Sequence, residues 1–354
     1  MENLESLRAQ IRAKDEEILR TIAERLELAK KIGTIKMQQK LPIKDDKHEK
    51  GVLEHARATA KKLGLYTQRA EQTATLLMRY GVIAQDEDQS RAKARTTRKV
   101  EHITIVGGSG RMGKWHENFF GQMGHKVTVS DQNADLTAAV ACATVIVLTT
   151  PISVTANVID ALTALGSKAL IFDICSLKSP LLDAINRAKA KGLRIGSVHP
   201  MFGPDVEFLA GKNVIICDSG DPSVTDQCYG LFSESTATIL RLPLAEHDRL
   251  MGQVLGHSHL CSLVFNRGME KSGIPFTDLH AVASTTFAAQ LNVARTVAGE
   301  NPDLYYEIQQ ANRSTGQMIA GVREALAEYE SAIATGDRAK FIALMTAGKS
   351  YLGR

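Results

Sequence analysis

Apolar residues recur at steps of three and four along the first ninety residues, which is the period of an α-helix with one buried face. The first run predicts one long helix over residues 4–39, ended by Pro42. Two further helices are predicted, one over 45–63 and one that starts near Thr67, whose hydroxyl suits an N-cap. The first helix would extend about 50 Å, and three helices with so little apolar mass would expose a stripe in isolation. The pattern therefore predicts an intertwined dimer.

The pattern changes twice along the rest of the chain. Residues 86–99 lack apolar periodicity, which predicts a hinge, and from residue 101 short β-branched runs alternate with helical patterns, as in a doubly wound parallel sheet. Strands are predicted at 102–106, 126–130, 144–148, 168–172, 193–198, 213–217 and 237–241. From residue 244 the pattern is nearly all helical, with helices predicted at 244–272, 277–299, 302–334 and 337–351. The predicted fold class is multidomain α and α/β, divided into an all-α domain (1–90), a linker (91–100), an α/β domain (101–242) and an all-α dimerisation domain (243–354).

Composition narrows the class of protein. No apolar run reaches the roughly 18 residues of a membrane helix, and the first twenty residues do not form a secretory signal. The five cysteines are scattered, so neither a disulfide framework nor a metal site is indicated, and a cytoplasmic location is expected. Residues 1–100 hold 22 basic and 15 acidic residues, a net charge of +7. Because the acids interleave with the bases and aromatic residues are scarce there, this excess favours a small anion over nucleic acid.

A glycine cluster lies between the first predicted strand and a helical pattern. Gly108, Gly110 and Gly113 have G-x-G-x-x-G spacing, which brings backbone N–H groups close to a pyrophosphate at the positive end of a helix. The next strand ends at Asp131, whose carboxylate can accept hydrogen bonds from ribose hydroxyls and would repel a 2′-phosphate. NAD is therefore predicted over NADP, although a glycine turn of another α/β fold is an alternative. The predicted cofactor-binding residues are Gly108, Ser109, Gly110, Arg111, Met112, Gly113, Asp131, Thr149, Thr150 and Pro151.

Three later strand ends carry candidate chemistry, because ligands gather at the carboxyl ends of parallel strands. The third strand ends at Thr149, Thr150 and Pro151, beside the expected nicotinamide. The fourth strand is followed by the hydroxyl of Ser176 and the ammonium of Lys178, and the fifth ends at the imidazole of His199. A dehydrogenase needs a base for a hydroxyl proton, and neutral imidazole is the usual choice. The predicted catalytic residues here are Ser176, Lys178 and His199.

The leading helices carry polar groups on one seam. Arg25 and Lys36 are eleven residues apart, so they fall within roughly 20° of one helix face. Arg8 lies about 25 Å from Arg25 along the axis, so both could hold one small ligand only if two antiparallel chains contribute. These cations suit a ligand with two carboxylates. If that ligand also carries a hydroxyl and an ether oxygen, Asp45, Glu49 and Gln85 could bind them.

The first ninety residues resemble the all-helical chorismate mutase family, in which a domain-swapped dimer rearranges chorismate to prephenate. The resemblance is carried by Leu7-Arg8-x-Gln10-Ile11, Glu24-Arg25-Leu26-Glu27-Leu28, Lys36, Leu41-Pro42-Ile43-x-Asp45 and Glu49. It implies that Arg25 and the partner subunit's Arg8 hold the two carboxylates. It also implies that Lys36 and Gln85 face the ether oxygen, where negative charge develops. The C4 hydroxyl would be held by Asp45 and Glu49.

Two positions depart from the mutase pattern. His48 stands where the family usually has an arginine that helps to bind carboxylate, and Gly81 replaces a usual serine. Imidazole is a poorer clamp for a carboxylate than guanidinium, so affinity or pH dependence would suffer. A non-catalytic dimerisation or effector-sensing module is therefore an alternative for this domain.

Residues 101–354 resemble prephenate dehydrogenase, which has a Rossmann domain and a helical domain. The resemblance is carried by Val106-Gly107-Gly108-x-Gly110-x-Met112-Gly113, Thr150-Pro151-Ile152, Asp173-x-x-Ser176-x-Lys178, His199-Pro200-Met201-Phe202-Gly203-Pro204 and Glu246-His247-Asp248. The family implies oxidative decarboxylation of prephenate, with His199 as the base. It further implies substrate contacts from His247, His257 and Arg295, with Arg267 and Arg313 as reserve candidates.

Together the two resemblances match the bifunctional T-protein family of tyrosine biosynthesis. That family implies a homodimer, with tyrosine as a possible effector. A dehydrogenase that prefers arogenate is an alternative. A β-hydroxyacid dehydrogenase is another, but the stretch 252–257 lacks that family's third glycine and its lysine.

Overall fold

The computed structural model describes residues 3–39, 41, 45–97, 99–207, 209 and 211–353. Pro42, the predicted end of the first helix, and Ile43 of the mutase pattern lie outside the described residues. The chain divides into two compact units: one comprises Met1–Val147, Val198–Ile216 and Ser223–Arg241, and the other comprises Leu148–Ser197, Cys217–Pro222 and Leu242–Arg354.

Three long helices open the first unit. They are α1 (Leu4–Gln38), α2 (Asp46–Leu63) and α3 (Thr67–Thr97). Asn3 caps α1, since its side-chain oxygen accepts a hydrogen bond from the Ser6 N–H at 2.8 Å. Gly33 lets α1 and α3 approach, because a Cβ there would lie 2.8 Å from Cγ of Gln85. Much of the predicted apolar stripe of α1 remains exposed, including Leu4, Leu7, Ile11, Ile18, Ile32 and Ile35.

The expected hinge is helical for most of its length. Helix α3 continues to Thr97, whereas loss of the apolar period predicted a break from residue 86. The segment contains alanine, glutamine, arginine, lysine and acidic residues but no glycine or proline, so helix propensity is favourable even without a buried face. Apolar periodicity indicates which face of a helix is buried, and its absence does not exclude a helix.

The seven predicted strands all form, with ends shifted by at most two residues. They are β1 (His102–Val106), β2 (Lys126–Ser130), β3 (Val145–Leu148), β4 (Leu170–Asp173), β5 (Arg194–Pro200), β6 (Asn213–Asp218) and β7 (Thr238–Pro243). Their order in the sheet is β2-β1-β3-β4-β5-β6-β7. Strand β1 pairs in parallel with β2, Ile103 opposite Val127, and β4 pairs in parallel with β5. Strands β2 and β3 lie on opposite sides of β1, so the order reverses there, which is where α/β sheets bind ligands.

The helices that connect these strands are α4 (Arg111–Gln122), α5 (Leu136–Val140), α6 (Ile152–Leu165), α7 (Leu182–Ala190) and α8 (Pro222–Phe232). Central strand residues are fully buried, as the continuous apolar runs predict for a parallel sheet covered on both faces.

The tail is helical, but it contains more breaks than its four predicted helices. It comprises α9 (Leu244–Met251), a π-helical turn (Gly252–His257), α10 (Ser258–Lys271), α11 (Phe276–Ala281), α12 (Thr285–Ala298), α13 (Pro302–Ala311), α14 (Thr315–Ala334) and α15 (Arg338–Tyr351). One missed break is capped by Ser284, whose hydroxyl accepts from the Phe287 N–H at 3.1 Å. Within the described ranges, no helix is long and apolar enough to cross a membrane.

Candidate active site

The glycine turn after β1 is shaped for close approach. Gly107 has a φ of +86°, and a Cβ on Gly108 would overlap the side chain of Val129 on β2. A Cβ on Gly113 would lie 2.5 Å from the Cα of Gly108, so α4 packs directly onto the turn. Gly110 is the N-cap of α4 and has no side chain to accept from the N–H groups of the first turn. These groups are therefore oriented to bind an anion such as a pyrophosphate.

Asp131 lies at the carboxyl end of β2 and faces this turn. Its carboxylate accepts a hydrogen bond from the Ser109 N–H at 3.1 Å and another from the Ser109 hydroxyl. The side chain is half-buried, so it can exchange these donors for others. A carboxylate beside the glycine turn fits the ribose of NAD, as the sequence predicts. Among the described residues, no group of His, Cys, Asp or Glu could hold a metal ion.

The first two turns of α4 also hold the loop that follows β5. Arg111 forms an ion pair with Asp205 at 2.6 Å, and the indole N–H of Trp115 donates to the backbone oxygen of Val206 at 2.8 Å. The rings of Trp115 and Phe202 lie 5.0 Å apart. The loop is thus attached to the helix that begins at the glycine turn. The sequence reasoning did not identify these contacts, because they join residues about ninety positions apart.

The predicted base, His199, is the penultimate residue of β5 and is buried. At the end of β3, Thr149 and Thr150 are half-buried, and Pro151 is the N-cap of α6. The Thr150 hydroxyl lies 2.7 Å from that of Thr155, within hydrogen-bond distance. Each of these residues therefore lies at the carboxyl end of its strand, where the predicted topology places it.

Lys178, a predicted catalytic residue, lies in a buried ion pair. Its side chain is fully buried and donates to the Asp173 carboxylate at 2.7 Å. Burial alone would lower the pKa of Lys178, but the nearby Asp173 carboxylate raises it overall, so the ion pair persists at neutral pH. This geometry favours a positioning role. Ser176, two residues earlier, is half-buried.

Next to His247 is a residue that the sequence reasoning left unassigned, Asp248. Nδ1 of His247 lies 2.7 Å from Asp248, which also accepts from the backbone N–H groups of Lys178 and Ser179 at 2.9 and 2.6 Å. Burial lowers the pKa of His247, although Asp248 opposes this. The sequence feature that could have identified Asp248 is its place directly after His247 in the Glu246-His247-Asp248 motif.

The other tail candidates are less enclosed. Nδ1 of His257, at the end of the π-helical turn, lies 3.2 Å from the side-chain oxygen of Gln253. Arg295 is exposed, with its guanidinium 5.3 Å from the ring centroid of Phe276. The reserve candidate Arg313 is exposed, and Arg267 forms an exposed ion pair with Glu270.

In the leading helices, Arg25 and Gln85 lie where α1 contacts α3. Nη1 of Arg25 donates to the backbone oxygen of Leu77 at 2.6 Å, beside Gly81. Gln85 is buried, and its side-chain oxygen has no hydrogen-bond partner within the described part of the chain. Such an orphaned acceptor fits a polar ligand in this domain.

The remaining mutase candidates vary in exposure. Lys36 and Glu49 are half-buried, and Arg8 is exposed. Asp45 precedes α2 and accepts from the His48 N–H at 3.1 Å, while the His48 side chain is exposed. Asp45 thus serves as a helix cap in this single chain, a role that the sequence reasoning did not foresee.

Together the glycine turn, the acidic strand end and the strand-end histidine define an NAD-dependent dehydrogenase of the Rossmann class, preceded by a helical domain. The type II chorismate mutase family matches residues 7–86, and the nucleotide-binding and dimerization domains of prephenate dehydrogenase match residues 112–240 and 243–347. The chain belongs to the bifunctional family that joins a chorismate mutase to an NAD-dependent prephenate dehydrogenase. This membership decides against the β-hydroxyacid dehydrogenase alternative.

Individual relatives agree with this family membership. The chain is 27% identical to the T-protein of Enterobacter agglomerans, over 99% of this chain and 93% of that one. It is 26% identical to the T-protein of Haemophilus influenzae, over 97% of this chain and 90% of that one. The fold resembles that of the A. aeolicus prephenate dehydrogenase in complex with hydroxyphenyl propionate and NAD+, with a TM-score of 0.60 and 16% identity over 72% of this chain and 98% of that chain.

Proposed function

We propose that the two parts of the chain act in sequence on one metabolite. Residues 1–90 rearrange chorismate to prephenate, and residues 101–354 convert prephenate to 4-hydroxyphenylpyruvate, CO2 and NADH. The observation that carries the second step is the glycine turn with Asp131 beside it, because this arrangement suits a dinucleotide. The linker is proposed to cover residues 91–100, with the helical domain beginning at 243.

In the dehydrogenase, His199 is the proposed general base. Its imidazole takes the proton from the C4 hydroxyl of prephenate, and Ser176 orients that imidazole or binds the hydroxyl. NAD+, when bound, accepts the hydride that leaves C4. The electrons of the bond between C1 and its carboxylate then aromatise the ring as CO2 leaves, and the phenol oxygen regains a proton. His247, His257 and Arg295 are proposed to hold the substrate.

The proposed cofactor site combines the glycine turn with two strand ends. Backbone N–H groups at the start of α4 bind the pyrophosphate. Asp131 would bind the ribose, and the residues that follow β3 would contact the nicotinamide. The residues assigned to these contacts are Gly108, Ser109, Gly110, Arg111, Met112, Gly113, Asp131, Thr149, Thr150 and Pro151.

In the mutase, the chain's charges select the reactive shape of chorismate and stabilise charge in the transition state, with no covalent step. Arg25 and the partner subunit's Arg8 bind the carboxylates, assisted by His48. Lys36 and the buried Gln85 amide face the ether oxygen as its bond breaks. The C4 hydroxyl is held by Asp45 and Glu49.

A homodimer is part of this proposal. The exposed apolar stripe of α1 supports it, because a second copy would cover that stripe and supply Arg8. A cytoplasmic location is proposed because the five cysteines are scattered along the chain, with no spacing typical of a disulfide framework. Tyrosine is proposed as an inhibitor, which is tested by adding it to the dehydrogenase assay.

The deciding experiment supplies the purified protein with chorismate and NAD+ and identifies the products by mass. We expect 4-hydroxyphenylpyruvate, CO2 and NADH. Chorismate that remains unconverted would contradict the proposed mutase activity of residues 1–90. Prephenate and arogenate are compared as direct substrates, and faster turnover of arogenate would contradict the assigned preference.

The variant His199→Asn separates the two halves. We expect NADH formation from prephenate to fall at least about 100-fold, because a general base contributes this much, while chorismate loss stays unchanged. Equal loss of both activities would contradict separate sites.

A further inference from the structure

One buried carboxylate joins two parts of the second unit. Asp248, on α9, accepts hydrogen bonds from the backbone N–H of Lys178 at 2.9 Å and from that of Ser179 at 2.6 Å. It also lies 2.7 Å from Nδ1 of His247. Backbone and side-chain donors therefore converge on one buried carboxylate.

The charge of the Asp248 carboxylate determines which ring nitrogen of His247 carries a proton. Burial alone would raise the pKa of Asp248, but hydrogen bonds from His247, Ser179 and Lys178 lower it to about 2. An ionised carboxylate only accepts hydrogen bonds, so the proton between the two side chains belongs to Nδ1 of His247. Because His247 is buried and its pKa is lowered, the ring is neutral and its Nε2 carries no proton.

The other contacts of Asp248 hold the backbone turn at 178–179, which lies close to Ser176 in the chain. The two backbone donors lie two and three residues after Ser176, in the segment where Lys178 is also anchored to Asp173. The main chain at Asp248 is itself held, since the side-chain amide of Asn312 donates to its backbone oxygen at 2.9 Å. Asn312 thus supports α9 through the backbone oxygen of Asp248.

We propose that Asp248 is a positioning residue for the dehydrogenase reaction, fixing His247 in the Nδ1–H tautomer and fixing the backbone turn that carries Ser176. This inference rests on the proposed function, in which both residues serve the prephenate step. Asp248 reacts with nothing itself, and it acts through the orientation of these two groups.

The test uses Asp248→Asn in the full-length protein, with Asn312→Ala as a matched control that removes support from the same helix. For Asp248→Asn we expect kcat/KM for prephenate to fall roughly 10- to 100-fold, with KM for NAD+ and mutase activity unchanged. For Asn312→Ala we expect a similar fall in melting temperature but less than about a twofold change in kcat/KM. Equal losses of kcat/KM in both variants would show that Asp248 only supports the fold.

Two further measurements separate positioning from packing. In a double-mutant cycle with His247→Asn, we expect the effect of Asp248→Asn to shrink, because part of it acts through His247; additive effects would overturn that part. Nitrogen NMR of labelled histidine should show the Nδ1–H tautomer of His247 in the parent protein and its loss in Asp248→Asn. An unchanged tautomer would also overturn the inference. Failure of the proposed function is distinguishable, because the parent protein would then not turn over prephenate.

Discussion

At the end of β2, Asp131 accepts hydrogen bonds from both the N–H and the hydroxyl of Ser109. The serine therefore holds the carboxylate over the glycine turn, where a ribose would lie. Gly108 has no side chain to obstruct this approach, since a Cβ would collide with Val129. At the residue scale we therefore propose that the choice of NAD over NADP depends on the charge of Asp131 and that access to the turn depends on the missing side chain of Gly108.

Asp131→Ala should weaken binding of NAD+ about 10- to 100-fold, because hydrogen bonds to a charged group are lost. Binding of NADP+ should change less, since repulsion of its 2′-phosphate disappears at the same time. Titration of both nucleotides against the parent and the variant measures this. An unchanged ratio of the two affinities would contradict the ribose assignment.

A buried histidine in α4 makes stability depend on pH. Nδ1 of His116 lies 2.9 Å from the backbone oxygen of Met112, and burial lowers the pKa of His116 from 6.5 to about 4, although that hydrogen bond opposes the shift. The unfolded chain therefore binds a proton more readily, and stability is lost as the pH falls from about 6.5 to 4, by up to about 3 kcal/mol.

His116→Leu should reduce this acid destabilisation. We expect the fall in the free energy of unfolding between pH 7.5 and pH 4.5 to be smaller in the variant by about 2 kcal/mol, measured by urea unfolding at both pH values. His247 and His259, whose pKa values are also lowered by burial, keep part of the dependence. Equal falls in both proteins would rule out His116 as the cause.

Among the elements, α4 has two roles. Its N-terminus begins at the glycine turn, and its first turns hold the loop after His199 through Arg111 and Trp115. The ion pair of Arg111 with Asp205 is exposed and contributes little, whereas the hydrogen bond of Trp115 is half-buried. The indole N–H is therefore the stronger attachment.

Trp115→Phe keeps ring contacts with Phe119 and Phe202 but removes the donor to Val206. We expect the loop at 201–207 to open more readily by about 1 kcal/mol, which means about fivefold faster hydrogen exchange there. Mass spectrometry of exchanged peptides measures this, with a peptide from α1 as the reference. Unchanged exchange in the loop would show that stacking alone holds it.

At the scale of the whole molecule, the leading helices expose a stripe that a monomer leaves uncovered. Ile11 and Ile18 on α1 are more than half exposed, on the helix that also carries Arg8. A second copy that covers this stripe would complete the mutase site, so assembly and mutase activity should be lost together.

Ile11→Glu places a charge in the proposed interface and should lower mutase activity at least about tenfold, because an unpaired charge would be buried there. The matched control is Ala13→Glu, which adds the same charge two residues along α1, at another exposed position. We expect the control to keep its activity and its mass in solution, as measured by light scattering. Equal effects of the two variants would contradict an interface on this stripe.

Much of the architecture was accessible from the sequence. All seven strands follow from short apolar, β-branched runs, and the three leading helices follow from a period of 3.6 residues, and both patterns depend only on neighbouring residues. The helical extension of α3 and the breaks before α12 and α14 were missed, because apolar periodicity reports burial rather than helix formation. The π-helical turn was missed for the same reason.

By itself, the sequence determined the three leading helices, the seven strands, the glycine turn, the acidic end of β2 and the family. Each of these depends on residues close together in the chain. Only the tertiary structure decided which distant groups meet. It paired Lys178 with Asp173 and brought Asp248 to the turn at 178–179 seventy residues away. It also attached the loop after β5 to Trp115. Such contacts depend on how strands and helices pack in three dimensions, and no local periodicity records that packing.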